Sequence, residues 1–553
     1  MLTSVIGVIV LLGGLIFFHE LGHYSVAKFF GVKVEVFSLG FGKRIFRRQW
    51  GETEYCLSLF PLGGYVKLMG DDPYKGVPAA EAERAFSTQK LYKRFLIVAA
   101  GPLANLILAY TLFVLVFWSG KPMEGTRIGT VHVGSPAWES GIRPRDRIVE
   151  IGGKPVTTWN EVEGFLKFRE GEKVDLQLER DGQSLKMPIT VTRVHSKNDY
   201  GEDQEIGGIK GIGPYPLATM IGVSNPKSAA YLAGLRTGDI IQKIDTRAVL
   251  LYDELNQALT AAWTAGNPVT VTVKRPTGND PKEGMEHSFT LSIPKTPAHD
   301  SPLGPSESLG IYPSELFVKQ ITPGSPAEKG GLQPGDRIVK ISDTPVFNFE
   351  TIVDRVQEQG GKEEQVTLNL EREGQPVTLL LKPVITTQED PLTRQPIKKY
   401  MVGFMPSTAY RESEIVKVTI HDPVELFHRA ATETYDLAEK MVISIAKLAV
   451  GKISVKNLGG PVLIASVAGR SLDAGIIPFI QMMALISINL FLLNLFPVPI
   501  LDGGHLLFFM IEGVKGKPVS VRTMEIANQV GMVFILMLVG LTLFNDISRI
   551  VLH

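Results

Sequence analysis

From Val5 to Phe18 the chain runs through fourteen apolar or glycine residues before it meets an ionisable side chain, His19. Such a run predicts a helix from about Leu2 to Phe30, most of it apolar enough for a roughly 20-residue bilayer span. Three later stretches carry the same pattern: Phe95 to Trp118, Ile476 to Leu501 and Val530 to Phe544. Between the second and third lies a long segment, 119–400, with no spanning run. The pattern therefore predicts a polytopic α-helical membrane protein, two transmembrane helices at each end and a soluble middle.

The middle repeats itself. Gly141-Ile-Arg-Pro-Arg-Asp146, Gly234-Leu-Arg-Thr-Gly-Asp239 and Gly331-Leu-Gln-Pro-Gly-Asp336 share one grammar, at spacings of 93 and 97 residues. Each reads as a helix end, a glycine turn and then a strand: Ile148–Ile151, Ile240–Ile244, Ile338–Ile341. An amphipathic helix follows each, around Glu161–Phe168, Asp253–Trp263 and Phe349–Val356. The spacing suits small tandem α+β domains rather than solenoid turns. With starts at Ser135-Pro-Ala137, Ser228-Ala-Ala230 and Ser325-Pro-Ala327, the units resemble bacterial, circularly permuted PDZ domains. That resemblance implies peptide capture by strand addition at their grooves; the alternative is a steric cap that binds nothing. Ile212–Tyr215 and Leu309–Tyr312 are expected to be the peptide-binding loops of the second and third units. Linkers are expected at Thr296–Pro305 and Thr386–Pro396. The division is then 1–118 for the N-terminal membrane part, 119–200, 201–298 and 299–386 for the three PDZ-like units, 387–475 for a linker and amphipathic helix, and 476–553 for the C-terminal membrane part.

Two stretches flank this array. Residues 31–94 are polar and basic, with Lys43, Arg44, Arg47 and Arg48 clustered, which predicts a cytoplasmic loop and an external N-terminus. Within it, 53–68 reads as a membrane-associated β-hairpin around Pro61-Leu-Gly-Gly64, either a plain hairpin or an edge that accepts a substrate strand. From Pro423 to about Val450, apolar residues at Val424, Phe427, Ala431, Tyr435, Ala438, Val442 and Ile445 keep helical spacing. That helix either lies on the membrane surface or packs on the third PDZ-like unit.

Composition narrows the chemistry. The 553 residues carry 57 basic and 57 acidic side chains, so no global field suggests a nucleic-acid partner. Cys56 is the single cysteine, which excludes an intrachain disulfide and cysteine-based metal sites. The apolar start has no side-chain cation and no small-residue cleavage site, so it reads as a retained helix rather than a signal peptide.

At the end of the first span stands His19-Glu-Leu-Gly-His23. Histidines at i and i+4 share one helix face and can hold one Zn²⁺, with Glu20 placed to take a proton from a water. The third span ends in Asn494-Leu-Phe-Pro497-Val-Pro499-Ile-Leu-Asp502-Gly-Gly-His505. Its prolines must break the helix, which is tolerated at membrane depth only beside protein or a water-filled cavity. Asp502 is most simply a cation ligand there, and His505 a weaker candidate. Asn105 and Asn489 are polar groups in apolar spans, read as packing or catalytic support together with Pro497 and Pro499. A substrate helix would have to unwind, and a sheet edge at Leu57, Ser58, Leu59 and Phe60, with Gly63 and Gly64 beside it and Asn494, is expected to hold it extended.

His19–His23, Phe60-Pro-Leu-Gly-Gly-Tyr-Val-Lys67, Gly101-Pro-Leu-Ala-Asn105 and the Asn494–Gly504 segment resemble the site-two protease family of intramembrane zinc metalloproteases. The resemblance implies a multi-pass bacterial inner-membrane enzyme with one zinc on His19, His23 and Asp502, Glu20 as base, and Asn494 touching substrate. It further implies single-span substrates such as anti-sigma factors and leftover signal peptides, with the PDZ region filtering entry. Both termini and the PDZ-like units would be periplasmic, with the active site towards the cytoplasmic side. Three PDZ-like units, where close relatives have two, depart from the family pattern. Rival readings are an inactive scaffold, which would not need Glu20 or Asp502, and a protease of external peptides, which the cytoplasmic-side motif disfavours.

Overall fold

The structure, a computed structural model, describes residues 2–71, 77–278, 284–293, 302–362, 365–389 and 396–552. The chain folds as two compact units, Met1–Pro122 with Lys417–His553, and Met123–Val416.

The first unit contains helix α1 (Leu2–Phe29), strands β1 (Val34–Trp50) and β2 (Thr53–Leu68), and helices α2 (Leu91–Ser119), α3 (Pro423–Ala449), α4 (Pro461–Asp473), α5 (Ile476–Leu495), α6 (Asp502–Lys515) and α7 (Val521–Leu552). Among the described residues, four helices are long and apolar enough to cross a membrane: Ile6–Phe29, Leu91–Ser119, Ile476–Leu495 and Val521–Arg549. Leu11, Leu15, Leu108, Phe113, Phe117 and Ile488 form the shared core of α1, α2 and α5. Helix α3 joins this core through Leu426, Ala430, Leu437 and Met441 and packs on α2 and α5. Its inner face therefore lies within the first unit, while Val424, Phe427, Tyr435 and Val442 stay exposed.

Helix α5 stops at Leu495, earlier than the apolar run. Phe496 is extended (φ −61°, ψ 141°), as a residue before proline must be, and Ile500 takes φ +90°. Helix α6 then begins at Asp502. Its start is close-packed on the broken segment, since a Cβ on Gly503 would sit 2.2 Å from the Phe496 carbonyl oxygen. The Gly-Gly after Asp502 is thus a steric requirement of the break.

The β1–β2 segment is more than a simple hairpin. Val36 faces both Lys67 and Glu54, and Leu39 faces both Gly64 and Leu57. Residues 34–39 are therefore the middle of a sheet, flanked by 64–68 on one side and 54–57 on the other. Leu57 also faces Phe46, so its segment has neighbours on both sides. At Leu57 the expected open edge is therefore not one. Within the described residues 44–50 and 64–68 are the outer segments, each facing a single neighbour, and 64–68 is the one that lines the cavity at His19 and Glu20, because the chain reverses once more than an alternating pattern reveals.

In the second unit each repeat carries a four-stranded antiparallel sheet of the same order, centred on Arg147–Ile151, Ile240–Ile244 and Arg337–Ile341. Each has its own core, led by Ile148 and Leu176, Ile241 and Val271, and Ile338 and Leu368. The repeated aspartate has a physical reason. Asp146, Asp239 and Asp336 are buried, and each holds one arginine through two bonds of 2.6–2.8 Å: Arg180, Arg275 and Arg372. Each arginine also donates to the carbonyl of the turn glycine, Gly141, Gly234 or Gly331. Ser135, Ser228 and Ser325 cap the short helices by accepting from Trp138, Tyr231 and Glu328 backbone N–H groups.

The expected loop assignment shifts by one repeat. Ile212–Gly213 pairs with Thr130–Val131, Tyr312–Pro313 with Ile221–Gly222, and Phe404–Pro406 with Val318–Ile321. The loops at 212–215 and 309–312 therefore close the first and second repeats, and 402–406 closes the third. A chain that is circularly permuted supplies its closing strand last, beyond the linker. Boundaries at 200 and 298 consequently fall before the strand that completes each repeat. The expected linker at Thr386–Pro396 is partly a hairpin, Val384–Glu389 with Pro396–Met401. Much of the other, Thr296–Pro305, lies outside the described residues.

Candidate metal centre

Helix α1 runs unbroken through His19 and His23, so the i, i+4 spacing puts both rings on one face, with Nε2 atoms 3.2 Å apart. The Pro497–Pro499 break then turns the chain so that Asp502, in the first turn of α6, points at the same spot. Asp502 Oδ2 lies 3.1 Å from His19 Nε2 and 3.6 Å from His23 Nε2. Each of the three side chains is no more than one-fifth exposed. Among the described residues this is the group of histidines and carboxylates compact enough to hold a metal ion. His23 Nδ1 is 2.9 Å from the Ile97 carbonyl oxygen. A carbonyl can only accept, so Nδ1 carries the proton and Nε2 keeps its lone pair for a cation. Two imidazoles and one carboxylate, with room for one more ligand, fit a catalytic zinc site.

Glu20 borders the same space. A Cβ on Gly64 would come within 3.1 Å of its Cγ, and the Val66 N–H faces its carboxylate. A cavity of about 880 Å³ opens here, lined by His19, Glu20, His23 and Asp502, by Tyr65, Val66 and Leu68 of the free strand edge, and by His505. His505 thus shares the cavity without joining the three-residue cluster.

Of the other expected site residues, Gly64 lies against Glu20, whereas Ser58 is buried, and Leu57, which has strand neighbours on both sides, and Leu59 have exposed side chains. Gly63 packs against the Phe41 ring. The Phe60 side chain lies outside the described residues. Asn105 is fully buried, its Nδ2 3.4 Å from His19 Nδ1. Asn489 and Asn494 are half-buried on α5 and are not among the residues lining the cavity. Pro497 and Pro499 form the break itself.

Sequence reading passed over two features. Asp546 of α7 accepts the Gly460, Val462 and Leu463 N–H groups at 2.9–3.1 Å, and Asn545 donates to the Val455 and Leu458 carbonyls. An Asn-Asp pair in an apolar helix was the available signal. Arg94 and Glu512 pair at the cavity wall, with Arg94 over the Phe509 ring. No local motif marked that pair, because its partners come from opposite ends of the chain.

The chain is 31% identical over 548 residues to the regulator of sigma-E protease RseP of Escherichia coli strain K12, covering 98% of each. It is 30% identical over 554 residues to the protease RseP of Yersinia pestis, covering 99% of each. A relative from Ralstonia nicotianae, named as a candidate zinc metalloprotease, is 29% identical over 561 residues and covers all of this chain and 99% of its own. A solved PDZ domain protein from Parabacteroides distasonis aligns with 49% of this chain and 93% of its own at 11% identity. Its TM-score of 0.12 is too low to show a shared fold. The model of peptidase family M50 matches residues 7–538, and the chain belongs to that family.

Proposed function

We propose that this peptidase is an intramembrane zinc endopeptidase that cuts the transmembrane segments of single-span membrane proteins. The observation that carries the reading is the convergence of His19, His23 and Asp502 beside Glu20, with both histidines and Glu20 on a helix long and apolar enough to cross a bilayer. His19 and His23 through Nε2, and Asp502 through Oδ2, would hold one zinc per chain. Zinc, when bound, supplies Lewis-acid activation of a water and of the scissile carbonyl. Glu20 takes the water's proton and passes it to the leaving amine. The unwound substrate adds as a strand along Tyr65–Lys67, whose outer edge borders the cavity. This moves the substrate edge from Leu57–Phe60 to the far side of the sheet.

The names of the relatives support anti-sigma factors as substrates, and remnant signal peptides share the single-span chemistry. The basic cluster at Lys43, Arg44, Arg47 and Arg48 supports a cytoplasmic β1–β2 segment. Both termini and the repeats are then periplasmic in a bacterial inner membrane, with lipid around the four spans. The three PDZ-like repeats gate entry, either by size or by binding peptides.

Two experiments test this. The protein is purified in detergent, its zinc is measured, and wild type and Glu20→Gln are compared on a single-span substrate. Glu20→Gln should keep its zinc and lose activity by ~10²–10⁴-fold; equal cleavage by both would sink the protease reading. Replacing Met123–Val416 by a short linker should let untrimmed substrates be cut. Unchanged discrimination would refute the gate.

A further inference from the structure

On α1, His19 and His23 are one turn apart; on α2, Gly101 and Asn105 are one turn apart. The two pairs meet rung for rung. A Cβ on Gly101 would lie 2.2 Å from His23 Nε2, so glycine makes room for that ring. Asn105 meets His19, Nδ2 to Nδ1, at 3.4 Å. Its backbone is held from the far side, where Ser487 Oγ donates to the Asn105 carbonyl at 2.7 Å.

The two imidazoles differ in how their outer nitrogens are held. His23 Nδ1 faces a carbonyl, which fixes one tautomer. His19 Nδ1 faces a carboxamide, which offers a donor at one end and an acceptor at the other. As placed, the amide nitrogen faces His19, and Oδ1 is buried with no partner. This suits a ring whose Nε2–H donates to Asp502 Oδ2, 3.1 Å away. It does not suit a ring that gives its Nε2 lone pair to a cation, because Nδ1 then carries the proton and two donors meet.

We infer that Asn105 is a positioning residue for His19. Its carboxamide can present either end to that ring, and with zinc held through Nε2 it is Oδ1 that accepts from His19 Nδ1–H. In either orientation the ring is held on the cavity side, and the buried oxygen gains a partner in the metal-competent one. Asparagine serves both tautomers. Aspartate serves only the metal-competent one, and leucine, of similar size, serves neither.

The inference rests on the proposed zinc site, and its test separates the two. Zinc affinity of the full-length protein in detergent is measured by competition with a chromogenic chelator for wild type, Asn105→Leu and Asn105→Asp. A wild type that holds no zinc overturns the zinc-site reading. Given a zinc-binding wild type, Asn105→Leu should bind ~10–100-fold more weakly and Asn105→Asp should restore most of the affinity. Leucine favours a helix at least as well as asparagine, so a packing role alone would not separate the two variants in that order. Equal affinity of wild type and Asn105→Leu, or equal loss in both variants, overturns the assignment of Asn105. If Asn105→Leu fails to fold, Asn105→Asp decides alone: affinity close to wild type supports the inference and a tenfold loss overturns it.

Discussion

Asp502 Oδ2 lies 3.1 Å from His19 Nε2, which brings the two ends of the chain to one point. Neither end holds the site by itself. The histidine pair supplies two neutral donors, and only the carboxylate supplies a charge to offset a divalent cation. Asp502→Asn should therefore bind zinc at least ~10-fold more weakly than wild type, with loss of cleavage. Chelation should silence the wild type and added zinc restore it. Full zinc occupancy in Asp502→Asn, measured by elemental analysis at limiting zinc, would remove Asp502 from the ligand set.

The position of Asp502 depends on a residue that touches no substrate. A Cβ at 503 would overlap carbonyl oxygens of Phe496 and Leu495, at 2.2 and 2.4 Å. Backbone cannot yield as a flexible side chain does, so Gly503→Ala must push α6 away from the broken segment. The expected result is destabilisation by ~1–3 kcal/mol together with reduced zinc content. Wild-type zinc content and wild-type thermal stability in Gly503→Ala would show that the close packing does not position the ligand.

The legible part of this protein was its local chemistry. Histidines at i and i+4, prolines two apart and a glycine-aspartate turn repeated three times each announce themselves within a few residues, and each sits where its pattern required. What stayed hidden depends on chain path. The strands that complete the repeats come after linkers, so Ile212–Tyr215 looked like the start of a domain it does not belong to. The free sheet edge moved from Leu57 to Tyr65 because 34–39 has two neighbours, and alternation along one strand cannot count its neighbours. Asn545 and Asp546 were visible as polar residues in an apolar helix, but their partners, Val455 to Leu463, carry no signal of their own.

Val66 offers a direct probe of strand addition. Its N–H faces outward to Glu20 and the cavity rather than towards residues 34–39. Proline there removes one edge donor while leaving the inner ladder its bonds. Val66→Pro should raise KM or lower kcat for a transmembrane substrate by roughly tenfold, equivalent to a net hydrogen bond of ~1.5 kcal/mol, with zinc retained. Unaltered kinetics would place the substrate elsewhere.

The three buried aspartates give a prediction that is the same in each repeat. Removing one carboxylate strands an arginine and frees the turn it holds, and breaking such a pair costs ~3 kcal/mol. The arginines are about one-third exposed, which reduces that cost. Because each repeat has its own core, Asp336→Asn should speed amide exchange in the third repeat and leave the first unchanged. Uniform acceleration across all three would mean that the repeats unfold as one body.

The first and third repeats meet at a titratable junction. His132 Nδ1 lies 3.1 Å from Glu350 Oε2, close enough for an ion pair but poorly aligned for a hydrogen bond. Asn348 donates to the Val133 carbonyl at 2.8 Å, and the buried Glu315 accepts from the Phe349 N–H. Lys210, bound to Asp354, faces Glu350 as well. Burial pushes the His132 pKa down, but contact with Glu350 and the charges of Glu315 and Glu350 outweigh it and leave the pKa above the usual 6.5. Burial raises the Glu315 pKa, whereas Glu350 is lowered because its pairing with His132 outweighs its burial. A raised histidine stabilises the fold fully below 6.5 and loses that contribution as pH rises through the folded value. Raised Glu315 acts in the same sense at lower pH, and lowered Glu350 in the opposite sense, its contribution vanishing as pH falls below its folded value. Between roughly pH 6.5 and the folded value of His132 the junction should weaken with rising pH, by at most ~1.4 kcal/mol per pH unit. The thermal midpoint of full-length His132→Gln should lack that alkaline decline while wild type shows it. Parallel pH profiles for the two proteins would mean that His132 does not govern the contact between the repeats.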